Sequence, residues 1–326
     1  SLIKEISFLF GLLYSYRSIQ LLKKKVKNKQ HTYFLKYISK IKYLIPIVSN
    51  LRLSYQIITL VSIYNPKIII LPFENHAWER FLIYKLKKCN TKVITAGYQF
   101  STFSQNQFSK YSVLKKNFNP DLMLSSGLST YKYLNKIYKK KIKVFNFGSY
   151  RNLQKKIYKK NFNNFNFLMV PEAPLSEVNT FLRDGIDLAK MYPKYNFILR
   201  LHPMSKSKKL ISDINYKMKN YKNIKLSKQS VEDDFSRCSY ILYRSSSLAV
   251  AASAKGLFPI YIDNNSLNID PFFEINKKLS IKSPKQLKSV LKIKNLEKKK
   301  LLKKFMSYSQ NYFEQKKINN FLNLFY

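Results

Sequence analysis

Acidic residues are scarce in this 326-residue chain: 17 Asp and Glu stand against 60 Lys and Arg, for a formal charge of +43. No acidic cluster is visible to complete a divalent-cation site around "SVEDDFSRC", which reads as a helix start with acidic first-turn residues, so no metal is expected. Only two cysteines occur, Cys89 and Cys238, without CxxC spacing. That excludes a disulfide framework and a structural zinc site and fits a reducing cytoplasm. Glycines number six, and none forms GxGxxG or GxxxxGK[ST]. A dinucleotide fingerprint and a P-loop are therefore absent, and a bound phosphate would need hydroxyls, imidazole and helix N-terminal amides. No apolar run approaches the ~18 residues of a membrane span. The N-terminal "ISFLFGLLYSY" is short and is followed by Arg17, unlike a secretory signal. The chain opens on Ser1 instead of Met, so missing upstream sequence is expected.

Hydrophobic residues make up 45% of the chain, enough for globular cores, and the length favours two domains. The lysines are spread along the whole sequence in KK and KKK pieces, and no RNP, KH or zinc-finger pattern accompanies them. That argues against a nucleic-acid partner. A basic surface suited to anionic lipid or polyanionic substrates remains, and the aromatic and Lys-rich helices point to attachment at the inner leaflet without insertion. The expected location is cytoplasmic, peripheral on the inner membrane.

The first 60 residues or so read as helices, with Pro46 interrupting a later apolar stretch. "PKIIILPF", "TKVITAGYQF", "PDLMLSSG" and "KIKVFNFGS" then read as strands separated by helical sequence. A polar Lys/Asn stretch follows, and beyond it the alternation restarts with "FNFLMVPEA", "YNFILRLHP", "NIKLSK", "SYILYR" and "LFPIYID", the last completing the sheet. The expected organisation is an N-terminal domain over 1–151, helical at first and then α/β, a linker over 152–164, and a second α/β domain with closing helices over 165–326. Strand–helix alternation implies mainly parallel sheets, and two such units imply a cleft lined by strand carboxyl ends.

Two strand ends in the second domain carry candidate chemistry. "ILRLHP" ends on His202, one of only three histidines, with Arg200 on the same strand face and Pro203 fixing the turn. "YRSSSLAVAASAKG" runs from a strand through Ser245, Ser246 and Ser247 into a small-residue helix. Plain N-capping needs one serine, and a histidine at a strand end is often simply satisfied in its turn. Both strands, however, end on one edge of a right-handed parallel sheet, where an imidazole and hydroxyls can donate to a shared phosphate. In the first domain, "PFENHAWERF" supplies Glu74 at a strand end, His76 beside it, and Trp78 and Glu79 on the first helical turn. A carboxylate or imidazole there can take the proton of an attacking hydroxyl. The bland alternative makes Glu74 a helix cap and Glu79 a solvated helix-surface partner. Glu172, in "VPEAPLSEV", stands in the equivalent place of the second domain and would orient substrate hydroxyls, unless Ser176 and Glu177 simply start a helix.

"RLHP" followed some forty residues later by a strand and "SSS" resembles the HP and serine motifs of bacterial sialyltransferase-like and Kdo-transferase-like glycosyltransferases of surface-carbohydrate biosynthesis. "PFENHAWER" and "AGYQFST" are similar to their "PFE…WE" and "YQ.S" elements, so that the resemblance covers most of residues 65 to 265. It implies a GT-B-like α/β fold of two Rossmann-like domains with extra terminal helices, and a CMP-activated nonulosonic acid donor. His202 and Ser245 to Ser247 would contact the CMP phosphate without a metal, with Arg200, Pro203 and Glu172 also on the donor side; Tyr98 and Gln99 would lie on the acceptor side, as would Glu79. The acceptor would be a glycan or lipid-linked saccharide. One departure is Phe100, where the resemblance calls for a histidine. CDP-glycerol glycerophosphotransferases also carry an HP and a serine pair but usually an Asp soon after the serines, absent from "SSSLAVAAS". A UDP-N-acetylglucosamine 2-epimerase reading needs acidic and histidine residues that three histidines do not supply, and a polyanion-binding scaffold leaves the paired motifs unexplained.

Overall fold

A computed structural model describes residues 2–26, 28, 31–32, 36, 44–89, 92–103, 113–151, 157–263 and 270–323. The first part of the expected 152–164 linker, residues 152–156, lies outside them. The chain packs as two compact units, Ser1–Ala96 with Val113–Asp121, and Gly97–Ser112 with Leu122–Tyr326.

The first unit opens with helices α1 (Leu2–Lys25) and α2 (Leu44–Tyr64). Pro46 does not break α2. It occupies the first turn, where its missing N–H has no intrahelical partner to lose. Strand β1 (Ile68–Pro72) and helix α3 (Ala77–Lys88) follow. Leu82, Ile83 and Leu86, at three- and four-residue spacing, give α3 its buried face. On the same helix, Arg80 donates to the Phe118 carbonyl (2.9 Å) and Lys87 pairs with Asp121 (2.8 Å), anchoring residues 118–121.

Strand β2 (Ile94–Tyr98) is followed by β3 (Leu122–Ser125), α4 (Leu128–Tyr138) and β4 (Lys143–Asn146). The first sheet has the order β1-β2-β3-β4, with β3 and β4 parallel. The second unit continues through β5 (Asn166–Val170), α5 (Leu175–Met191), β6 (Asn196–Leu199), α6 (Lys208–Met218) and β7 (Ile224–Leu226). Next come α7 (Val231–Arg237), β8 (Tyr240–Tyr243), α8 (Ser247–Ala254) and β9 (Phe258–Ile262). The helix start read in "SVEDDFSRC" is present: Ser230 caps α7 by accepting the Asp233 N–H at 3.1 Å.

Contrary to expectation, β9 does not complete the sheet. A short edge strand, β10 (Leu279–Ile281), pairs parallel with it, three residues bounded by lysines and too brief to show a period. Helices α9 (Leu287–Leu291), α10 (Asn295–Gln310) and α11 (Ile318–Leu322) close the unit.

The second sheet is parallel throughout, in the order β10-β9-β8-β5-β6-β7. The chain runs outward from β5 through β6 to β7, then returns to the other side of β5 for β8, β9 and β10. Strand order therefore reverses between β5 and β8, the switch point at which open α/β sheets bind ligands. Central strands buried on both faces read as continuous apolar runs. Phe167, Leu168, Met169, Tyr240, Ile241 and Leu242 are all solvent-inaccessible.

The segment between α10 and α11 returns to the carboxyl ends of β3 and β4. Asn311 O accepts the Ser129 N–H (3.0 Å), Glu314 bonds Ser126 O (3.0 Å) and the Ser149 N–H (2.7 Å), and Lys317 donates to Phe147 O (2.8 Å). Glycine is required where this segment passes. A Cβ on Gly127 would lie 2.3 Å from Asn311 O, and one on Gly148, whose φ is +90°, 2.2 Å from Gln315 O.

Candidate functional site

Strand register places the second-unit candidates. Met169 pairs with Leu199, and Val170 with Tyr243. Counting onward along each chain, Glu172 stands level with both His202 and Ser245. Three adjacent strands, β6, β5 and β8, thus present an imidazole, a carboxyl and a hydroxyl side by side at the switch point.

His202 begins a 3-10 turn over Pro203–Ser205, and its Nδ1 accepts the Met204 N–H at 3.3 Å. In the neutral ring the proton then sits on Nε2, which makes no hydrogen bond among the described residues and can donate outward. The turn thus satisfies one ring nitrogen and leaves the other for chemistry.

The three serines divide their tasks. Ser246 is the N-cap of α8, accepting the Leu248 N–H at 3.3 Å, so plain capping accounts for it. Ser245 lies 3.4 Å from Glu177 Oε1, to which its hydroxyl donates. Ser247, in the first turn, is half-buried, and its hydroxyl has no hydrogen bond among the described residues.

Arg200 is turned away from this cluster. Its Nε meets Asp234 Oδ2 at 2.6 Å, and the same carboxylate accepts from Ser227 at 2.5 Å. Asp234 is buried on α7, so Arg200 fastens the carboxyl end of β6 to that helix.

Glu177 was read only as a helix-start charge, yet it is buried and central. At the third position of α5 its Oε1 accepts the Glu172 N–H (3.1 Å) as well as the Ser245 hydroxyl, joining the ends of β5 and β8. Burial raises the Glu172 carboxyl above its ordinary value and the nearby Glu177 carboxylate adds to this, while His202 opposes it. Glu172 is therefore a carboxyl held above its ordinary value beside the His202 ring.

The first-unit candidates are built on a related device. Glu79, at the third position of α3, accepts the backbone N–H of Glu74 (3.0 Å) and of His76 (2.9 Å). Its exposure is 1%, so Glu79 is no solvated helix-surface partner; its carboxylate meets the part-buried amide donors at the helix entrance. His76 is the N-cap of the helix, and Glu79 closes the turn by accepting its backbone N–H. Burial raises the Glu79 carboxyl above its ordinary value, against the lowering pull of those amides and of His76. Asn75 takes a left-handed conformation (φ +71°), and Glu74 Oε2 comes within 3.5 Å of His76 Nε2. The result is a partly exposed carboxylate–imidazole pair just beyond β1.

Tyr98 and Gln99 serve the second unit's framework. The Tyr98 hydroxyl donates to Gly148 O at 3.0 Å, while buried Gln99 accepts from Ser126 at 3.2 Å and donates to Ser101 O. Among the described residues, no three His, Cys, Asp or Glu side chains gather where they could hold a metal. Both cysteines are free thiols, and burial pushes that of Cys238 up to about 12.

No family model and no curated protein matches this chain. Solved structures do. The "Glycotransferase of kitacinnamycin" superposes with a TM-score of 0.56 at 7% identity, covering 84% of this chain and 80% of that one. A glycosyltransferase from Rickettsia africae matches at a TM-score of 0.53 and 14% identity, over 82% and 78% of the two chains. The UDP-GlcNAc 2-epimerase of Methanocaldococcus jannaschii, in complex with UDP-GlcNAc and UDP, matches at 0.50 and 14%, over 85% and 81%.

The fold class is GT-B-like. The chain spans 55% of the length of a S. aureus TarM mutant, matched over 79% of this chain at a TM-score of 0.48 and 12% identity. At such identities the likeness is one of fold, and the chemistry must come from the side chains. Among the described residues no helix is long and apolar enough to cross a membrane.

Proposed function

We propose that this protein is a metal-independent glycosyltransferase whose nucleotide-sugar donor binds at the β5–β8 switch point, with a CMP-activated nonulosonic acid as donor and a surface glycan or lipid-linked saccharide as acceptor. The observation that carries the reading is the level alignment of His202, Glu172 and Ser245 on adjacent strands, with His202 Nε2 and the Ser247 hydroxyl left to donate. In the reaction the bond between the anomeric carbon and the donor phosphate oxygen breaks, and the acceptor hydroxyl oxygen forms the new bond to that carbon. Charge develops on the departing phosphate, where hydrogen bonds from His202 and the serines stabilise it. The acceptor's proton passes to a base, and the Glu74–His76 pair has the chemistry for it.

The base of the donor nucleotide separates this reading from one based on the epimerase of like fold, which is solved in complex with UDP-GlcNAc and UDP. Incubation with CMP-sugars, CDP-glycerol and UDP-N-acetylglucosamine, following release of the nucleotide, decides it. The expected result is CMP release from CMP-sugars alone, lost in His202→Ala. Thermal stabilisation by UDP compounds but not by CMP or CDP would overturn the CMP assignment. Turnover undiminished by His202→Ala would overturn the site.

A further inference from the structure

Residues 6–73 contain no Asp or Glu, although eleven Lys and Arg fall among them. Helix α1, whose one acidic residue is Glu5 near its start, turns an apolar stripe to solvent. Ile6, Phe10, Leu13, Tyr14 and Leu21 recur at helical spacing on one face, and all are exposed, Phe10 at 68% and Tyr14 at 75%. Arg17 and Lys24 fall on the same face and are exposed as well. Such a run of large apolar side chains in water is a marker of an interaction surface.

We propose that this face of α1 docks on an anionic lipid surface, lying in the headgroup region with Phe10, Leu13 and Tyr14 inserted and Arg17 and Lys24 against lipid phosphates. Two features select this occupant. A nucleic acid or soluble polyanion would use the cations and leave the aromatic and leucine side chains in water. A second copy of the chain would bury the apolar stripe but bring together two chains of net charge +43, whose docking helices carry Glu5 as their one acidic residue against Arg17, Lys23, Lys24 and Lys25. A negatively charged bilayer satisfies both halves of the face. The docking is independent of which nucleotide sugar is used.

Sedimentation of the full chain with phosphatidylcholine vesicles, and with vesicles containing phosphatidylglycerol, tests the proposal. Binding to the anionic vesicles should exceed binding to neutral ones by about tenfold or more and fall with added salt. Both Phe10→Ser/Leu13→Ser and Arg17→Gln/Lys24→Gln should lower it severalfold, with unchanged circular dichroism because these side chains are exposed. Equal binding to both vesicle types, or binding indifferent to both double variants, would overturn it. So would a concentration-dependent dimer that Phe10→Ser/Leu13→Ser abolishes in a chain that ignores vesicles. Donor turnover is measured separately, so its failure leaves this outcome readable.

Discussion

Removing the Glu79 carboxylate tests how the strand-end loops are held. In Glu79→Ala the N–H groups of Glu74 and His76 lose their acceptor, at 3.0 and 2.9 Å in the native loop. A stranded buried donor costs about 1–3 kcal/mol, so two partly buried ones amount to about 2–4 kcal/mol. Glu177→Ala strands one such donor, that of Glu172, and should cost about 1–3 kcal/mol. Glutamine keeps an acceptor oxygen and should recover at least half of either loss.

The pH dependence separates Glu79→Gln from a merely steric change. Because burial raises the Glu79 carboxyl above its ordinary 4.5 in the folded chain, its contribution is fully present below that value and is lost as pH rises through the folded value. Wild type should therefore exceed Glu79→Gln most in acid, the difference shrinking toward neutral pH. Urea denaturation at pH 4 and pH 7.5, read by circular dichroism, measures both effects. A Glu79→Ala cost below about 0.5 kcal/mol, or a glutamine penalty that grows with pH, would refute the account. Only Glu177 also receives the Ser245 hydroxyl. Glu177→Gln should thus weaken donor binding, and Glu79→Gln, equal in design but without that bond, serves as its comparison.

Arg200→Ala should destabilise by about 3–5 kcal/mol, since it leaves the buried Asp234 carboxylate without its cation; pairing it with Asp234→Leu should restore much of the loss in the same urea experiment. Lys160, whose Nζ donates to Ser236 O at 3.1 Å, is pushed by burial down to about 8. Its contribution to stability is present above the ordinary 10.5 and lost as pH falls through about 8, so wild type should decline relative to Lys160→Met over that window. A lysine NMR resonance titrating near pH 8 and missing from Lys160→Met would identify it; a Lys160 signal titrating above pH 10 would refute the assignment.

Much of the second sheet was legible because its strands are buried on both faces and therefore appear as uninterrupted apolar runs. Placing His202 and Ser245 on one sheet edge required only strand order and the handedness of parallel connections. What remained hidden depended on contacts made across the chain. The pairing of Arg200 with Asp234 was one of them, since the two lie far apart along the sequence. Ser246 was indistinguishable from its neighbours until the start of α8 made it the cap. Glu79 and Glu177 each lie five residues after a strand-end glutamate, a spacing visible in "ENHAWE" and "EAPLSE". That repeated pattern was the available signal for their shared role. β10 offered none, its three residues gaining strand character only by pairing with β9.

The segment crossing Gly127 and Gly148 has a consequence for the order of assembly. On a ribosome adding about 5–20 residues per second, residues 311–317 arrive on the order of 10–40 s after the strand ends they cover. Until then the amides of Ser129 and Ser149 and the carbonyls of Ser126 and Phe147 lack their native partners. The early strands therefore wait, half finished, for a much later part of the same chain. Through that interval their exposed backbone depends on water or a chaperone, and the final closure is a step of synthesis as much as of folding.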